Sequence, residues 1–272
     1  MIIKKVLCSK AMTGFYMDDK EAIKRGAEED GFVYKGDPVT PGFHSIRQPG
    51  VAVSVMFVLE DGQIAFGDCA VAQYAASGGR EVPNTADALI KVIEKYVVPY
   101  FEGMDLTEFK STAERFDRYE FDGERLPASI RYGVTQAILE AVAKMEKTTM
   151  AEVVLKEYHL PVDLTPVRIN AQSGDDRYNN VDKMILKKVG MMPHGLINNV
   201  KSKLGEDGQI FLDWVKWVKN RIVQIGEPDY NPVMRYDVYG CMGYAFHDDL
   251  DQVFEYLLKV EDACKPYQVF VE

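Results

Sequence analysis

The sequence lacks the basic surplus of a nucleic-acid binder. Its 42 acidic residues outnumber 32 basic ones, for a net charge of −10, and no run of five basic residues occurs. A protein that neutralises phosphates gathers Lys and Arg, so nucleic acid is excluded as an expected partner. Cysteine is sparse too. Cys8, Cys69, Cys241 and Cys264 are far apart and form no C-x-x-C pair, so zinc-finger and thioredoxin-type readings fail and free thiols are expected. No long apolar run exists: Val51 to Leu59 is broken by Ser54 and is too short to span a bilayer. The start, Met1-Ile2-Ile3-Lys4-Lys5, has no signal-type apolar stretch. The expectation is a cytoplasmic protein with no membrane partner. Walker, G-x-G-x-x-G and G-x-S-x-G motifs are missing, which removes phosphate loops, dinucleotide folds and serine hydrolases. No solenoid repeat or low-complexity tract is present.

What is present is ordinary globular material, 47% hydrophobic and 27% charged over 272 residues. At about 150 residues per domain, that is one large domain or two smaller ones. The rhythm changes near residue 163. Before it, strands precede helices. Ile2 to Cys8 reads as a strand, and Val51 to Leu59 and Gln63 to Phe66 form a hairpin about Asp61-Gly62. Asn84 or Thr85 caps a helix with Leu89, Ile93, Tyr96 and Val97 on one face and Pro99 near its end. Pro127 opens another, striped by Ile130, Val134, Ala137, Ile138, Ala141, Val142 and Met145. Thr149 and Glu152 make a capping box. This pattern reads as an α+β domain.

After the linker Leu160 to Pro166, strands alternate with helices. Val167 to Gln172, Val233 to Tyr239 and Gln268 to Val271 read as strands. Helices are expected over about 180–187, over 209–225 with Phe211, Trp214, Val218, Ile222 and Ile225 on one face, and along Leu250, Val253, Phe254, Leu257 and Val260. That alternation is α/β with a parallel sheet, either a (β/α)8 barrel or a doubly wound open sheet. Three strands fall short of a barrel's eight, and the last is the apolar Val269-Phe270-Val271 before Glu272.

Asp237 lies late in one expected strand and Glu272 at the end of the next, about one β/α repeat later. Carboxylates on neighbouring strand ends repel unless a cation lies between them, and hard oxygen donors suit Mg²⁺. The alternative is that each acid merely flanks a turn. Gln172 is either a strand-end amide for a substrate carboxylate or a turn residue. Asp175 and Asp176 are either ligands or turn starters. His194, in a loop beside Gly195, either moves a proton or is structural. His44, His159 and His247 have less context. The segment from Gly67-Asp68-Cys69-Ala70 to Gly78-Gly79-Arg80 could cover a site.

Several stretches, in order along nearly the whole chain, resemble the 3-methylaspartate ammonia-lyase family of the enolase superfamily. They include Thr13-Gly14-Phe15-Tyr16, Gly67-Asp68-Cys69-Ala70, Ile130-Arg131-Tyr132-Gly133, Ala171-Gln172-Ser173-Gly174, His194-Gly195-Leu196-Ile197 and Asp237-Val238-Tyr239-Gly240. The resemblance implies a capping domain over residues 1–163 and the first part of a (β/α)8 barrel over 164–272. It implies elimination of ammonia from (2S,3S)-3-methylaspartate to give mesaconate, in glutamate breakdown. Mg²⁺ is the implied cofactor, with a monovalent cation such as K⁺ beside it. Asp237 and Glu272 match metal ligands, His194 matches a histidine that contacts the substrate carboxylate, and Gln172 matches a substrate-binding glutamine. The family's third ligand and lysine base fall beyond residue 272, so activity is expected to need a further segment. The implied partners are an amino-acid substrate and either a second copy in a homodimer or a second chain supplying the rest of the barrel. The alternatives are a non-catalytic subunit or remnant, and a superfamily enzyme for another α-proton acid.

Overall fold

Alternating apolar residues near the amino terminus build one antiparallel sheet. In the computed structural model, which describes residues 1–71, 81, 84–163, 165–174 and 176–272, its strands are β1 (Ile3–Asp18), β2 (Arg47–Leu59) and β3 (Ile64–Ala70), in that order. The β2–β3 register closes at Val58 and Ile64 around Asp61-Gly62. Gly62 has φ +86°, a conformation that costs glycine nothing, and Asp61 accepts the Gln63 N–H at 3.0 Å. β1 runs well past Cys8, to Asp18, and the apolar run at its start marks only its first half.

The inner face of this sheet is covered by α1 (Ala128–Glu146), which buries Ile130, Val134, Ala137, Ile138, Ala141 and Val142. The approach is backbone to backbone. A Cβ on Gly133 would lie 2.5 Å from the Cys69 nitrogen, and one on Gly67 would lie 1.8 Å from the Gly133 oxygen. Thr85 caps the helix that starts at Ala86, as its spacing implies. That helix passes through a π-helical turn, Ile93–Val97, before Val98–Phe101. Pro99 has no N–H for the carbonyl one turn back, and a wider turn ahead of it takes up the mismatch. The capping box of Thr149 and Glu152 is formed and opens α2 (Met150–Glu157). The chain divides into two compact units, Met1–Asp163 and Leu164–Glu272.

The second unit carries a parallel sheet of β4 (Met191–His194), β5 (Val233–Tyr236) and β6 (Val269–Val271). Strand order follows chain order, as in barrel winding; a doubly wound sheet reverses direction at a switch point. α3 (Arg177–Leu186), α4 (Gln209–Ile225) and α5 (Leu250–Cys264) belong to the same core as Met192, Met234 and Tyr236. Among the described residues, no helix is long and apolar enough to cross a membrane.

Three expectations are corrected here. The stretch Val167 to Gln172 is not a strand and makes only a bridge from Asn170 to Met191. The Ala171 and Ser173 N–H groups donate to the Met191 and Pro193 carbonyls, at 3.0 and 2.9 Å. Pro193 has no N–H to return to residue 171, so the ladder stops opposite Gln172. Conversely, the supposed loop around His194 is strand β4, disguised by that proline and by Gly195. Helix α5 packs only part of the expected face: Val253, Leu257 and Val260 join the core. Tyr256, Val260 and Cys264 are buried, while Leu250 and Phe254 are exposed, because two apolar rows share the helix and only one meets α4. Leu164, Asp175 and Gly78-Gly79-Arg80 lie outside the described residues.

Candidate metal and substrate site

Parallel register brings the two acids together. Strand β6 pairs with β5 up to Val271 opposite Tyr236. The Glu272 N–H then donates to the Tyr236 carbonyl at 2.8 Å, and the Val238 N–H donates to the Glu272 carbonyl at 2.9 Å. Those two bonds set Glu272 opposite Asp237, so both side chains leave the sheet on one face. It is the face away from buried Met234 and Tyr236, by simple alternation.

His194 reaches the same place by a strained route. Its register partner is Tyr236, which would aim it at the helices. Instead its φ is +60°, a region that disfavours non-glycine residues by roughly 1–2 kcal/mol. The turn continues through Gly195 at φ +70°. The ring is 7% exposed, with Nδ1 3.0 Å from the Gly195 carbonyl and Nε2 3.6 Å from Asp237 Oδ2. A carbonyl only accepts, so Nδ1 carries the hydrogen in that contact. The Nε2 distance is too long for a direct hydrogen bond. Asp237 Oδ1 is occupied by the Tyr239 N–H at 3.0 Å. One ligand atom each from His194, Asp237 and Glu272 falls within 4.8 Å of the others. Two carboxylates and a ring nitrogen converging on one gap form a donor set for a hard divalent cation.

Trp214 on α4 sits behind this turn. A Cβ on Gly195 would lie 2.9 Å from the Trp214 ring, and Arg177 stacks over the same ring at 4.9 Å. Gly195→Ala therefore meets both a positive φ and an immovable indole. It is expected to destabilise the second unit by about 2–3 kcal/mol, read as a lower unfolding midpoint in denaturant.

Of the residues singled out from sequence, His194, Asp237 and Glu272 are brought together. Gln172 is exposed on the neighbouring run opposite Pro193, and among the described residues it makes no side-chain hydrogen bond. Asp176 is the residue before α3 and accepts from Asn179 at 3.2 Å, so it is a helix start. Arg235 was passed over in the sequence. It lies two positions before Asp237, hence on the same face, and its guanidinium donates to Glu272. The period of two along β5 is the signal that could have found it.

Comparison with known proteins decides the family. The amino-terminal profile of methylaspartate ammonia-lyase matches residues 1–159, and the carboxy-terminal profile matches residues 161–272. The chain belongs to the methylaspartate ammonia-lyase family. It is 49% identical to methylaspartate ammonia-lyase of Clostridium tetanomorphum over its whole length, and it spans 66% of that relative's length. The Mg-complex structure of β-methylaspartase from that organism superposes with a TM-score of 0.86, again over 100% of this chain and 66% of the other. The Citrobacter amalonaticus enzyme containing (2S,3S)-3-methylaspartic acid is 42% identical, with a TM-score of 0.92 and the same shares covered. The L-Ala-D/L-Glu epimerase of Bacillus subtilis, 12% identical with a TM-score of 0.54, shares the fold alone. The fold is therefore that of the enolase superfamily, a capping domain with barrel strands.

Proposed function

We propose that this protein acts as a magnesium-dependent carbon–nitrogen lyase that removes ammonia from (2S,3S)-3-methylaspartate to give mesaconate. One observation carries the reading: Asp237 and Glu272 are register partners at the ends of adjacent parallel strands, with His194 Nε2 facing them. The family match and the magnesium and methylaspartate complexes of its relatives support it.

The donor set fits the ion. Both carboxylates offer hard oxygen atoms, which suit Mg²⁺. Asp237 and Glu272 would hold Mg²⁺. When bound, the ion supplies positive charge for the negative charge that builds on a substrate carboxylate as the neighbouring C–H is broken. Asp237 is kept in place by the Tyr239 N–H, so it is aimed before anything binds. His194 would contact the substrate carboxylate, with Nε2 as the atom that holds or hands over a proton. Its Nδ1 contact with the Gly195 carbonyl fixes the ring plane. Gln172 would donate its amide to the substrate from the neighbouring run. The cytoplasm suits a chain whose Cys8, Cys69, Cys241 and Cys264 are all free.

The test is ammonia release from (2S,3S)-3-methylaspartate by the protein isolated from its native source. Release that stops with EDTA and returns with Mg²⁺ is expected. A preparation that releases ammonia equally well in EDTA, or releases none with Mg²⁺ present, contradicts the proposal.

A further inference from the structure

Arg235 occupies the row immediately before the acids, on the same face of the sheet as Asp237 and Glu272. Its neighbours across the sheet in register are Pro193 on one side and Phe270 on the other. Neither carries a side-chain acceptor, so the guanidinium has no lateral partner. Along its own strand, Asp237 already accepts from the Tyr239 N–H and turns its other oxygen towards His194. The guanidinium therefore reaches Glu272, and one of its NH₂ groups contacts Oε2. Arg235 is largely covered, at 25% side-chain exposure, whereas Glu272 is 58% exposed.

We propose that Arg235 is a positioning residue for the cation site: it ties one oxygen of Glu272 and leaves the other free to ligate. This rests on the metal reading above. A glutamate beside a like charge otherwise swings away from it, since rotamer freedom and repulsion from Asp237 both favour that. A hydrogen bond from an anchored arginine removes that freedom before the ion arrives. Salt screens the repulsion between the guanidinium and the cation, but it does not relax the geometric restraint. Partners that orient a ligating carboxylate typically change metal affinity by about 10–100-fold when removed.

The experiment titrates Mn²⁺ alone into the full chain and reads free Mn²⁺ by electron paramagnetic resonance. Arg235→Met, which keeps an unbranched apolar stem, is expected to weaken binding by about 10–100-fold. Arg235→Lys, with a donor of shorter reach, is expected to recover part of that loss. In a Glu272→Gln background, Arg235→Met is expected to have little further effect, which a merely structural role would not produce. Circular dichroism without the cation checks that each variant is folded, and the lysine variant keeps the comparison available if the methionine variant is not. Wild-type binding with Arg235→Met unchanged or tighter overturns this inference alone. No Mn²⁺ binding by the wild-type chain overturns the metal reading and this inference with it.

Discussion

Asp237→Asn is expected to lower divalent-cation affinity by at least about 100-fold while leaving the cation-free protein as stable as before, or more so. The sign of each part follows from the geometry. Asparagine keeps a carbonyl oxygen to accept the Tyr239 N–H, so the local turn survives. It removes one of two like charges held in register, which relieves repulsion when no ion is present. It also removes a ligand that Glu272 alone does not replace. Thermal unfolding separates these effects. A ligand at 100 times its dissociation constant stabilises the folded state by about 2.7 kcal/mol. Mg²⁺ should therefore raise the wild-type midpoint and leave the variant's unmoved. A variant that melts earlier without Mg²⁺, yet responds to it as wild type does, would mark Asp237 as a structural acid.

Gly133→Ala is expected to be strongly damaging to the first unit. Its Cβ would fall 2.5 Å from the Cys69 nitrogen and 2.6 Å from its sulfur, inside a contact where helix α1 rides directly on β3. Both clashing partners are held, one by the sheet ladder and the other by full burial. Relief requires the whole helix to lift, costing about 3 kcal/mol or more. For a unit of this size, that lowers the midpoint by roughly 6–12 °C. Gly67→Ala attacks the same contact from the strand, where its Cβ would meet the Gly133 oxygen, so the two losses should not add. Gly14→Ala is the control, because a Cβ there meets nothing within 4 Å. Calorimetry of the full chain, with Gly133→Ala no worse than Gly14→Ala, would contradict this packing.

The same contact explains one part of the sequence reading. Gly67-Asp68-Cys69-Ala70 and Ile130-Arg131-Tyr132-Gly133 were noticed as separate matching stretches, and in the fold they are the two sides of one close approach. Features written in local chemistry were legible: the Asp61-Gly62 turn, the Thr149–Glu152 capping box and the apolar face of α4. Strand β4 was not, because Pro193 and Gly195 look like loop residues when their neighbours are unknown. The inward face of α5 was legible in part: Val253, Leu257 and Val260 pack, while Leu250 and Phe254, equally apolar, stay exposed. At the site, the spacing of Asp237 and Glu272 indicated adjacent strand ends. That they face each other depends on backbone bonds to Tyr236 and Val238, which no residue type announces. His194 was found as a residue but not as a conformation: its positive φ, not its place in the chain, turns it towards the acids. Arg235 was hidden in plain view, beside Asp237 in sequence and paired with Glu272 in space.

The most direct test is a crystal structure of the chain grown with Mn²⁺, with anomalous scattering used to locate the ion. The account predicts a peak between Asp237 and Glu272, within ligand distance of both carboxylates and on the face that carries Arg235. A peak bound elsewhere, with the two carboxylates unligated, or no peak in crystals that hold Mn²⁺ at saturating concentration, would contradict it.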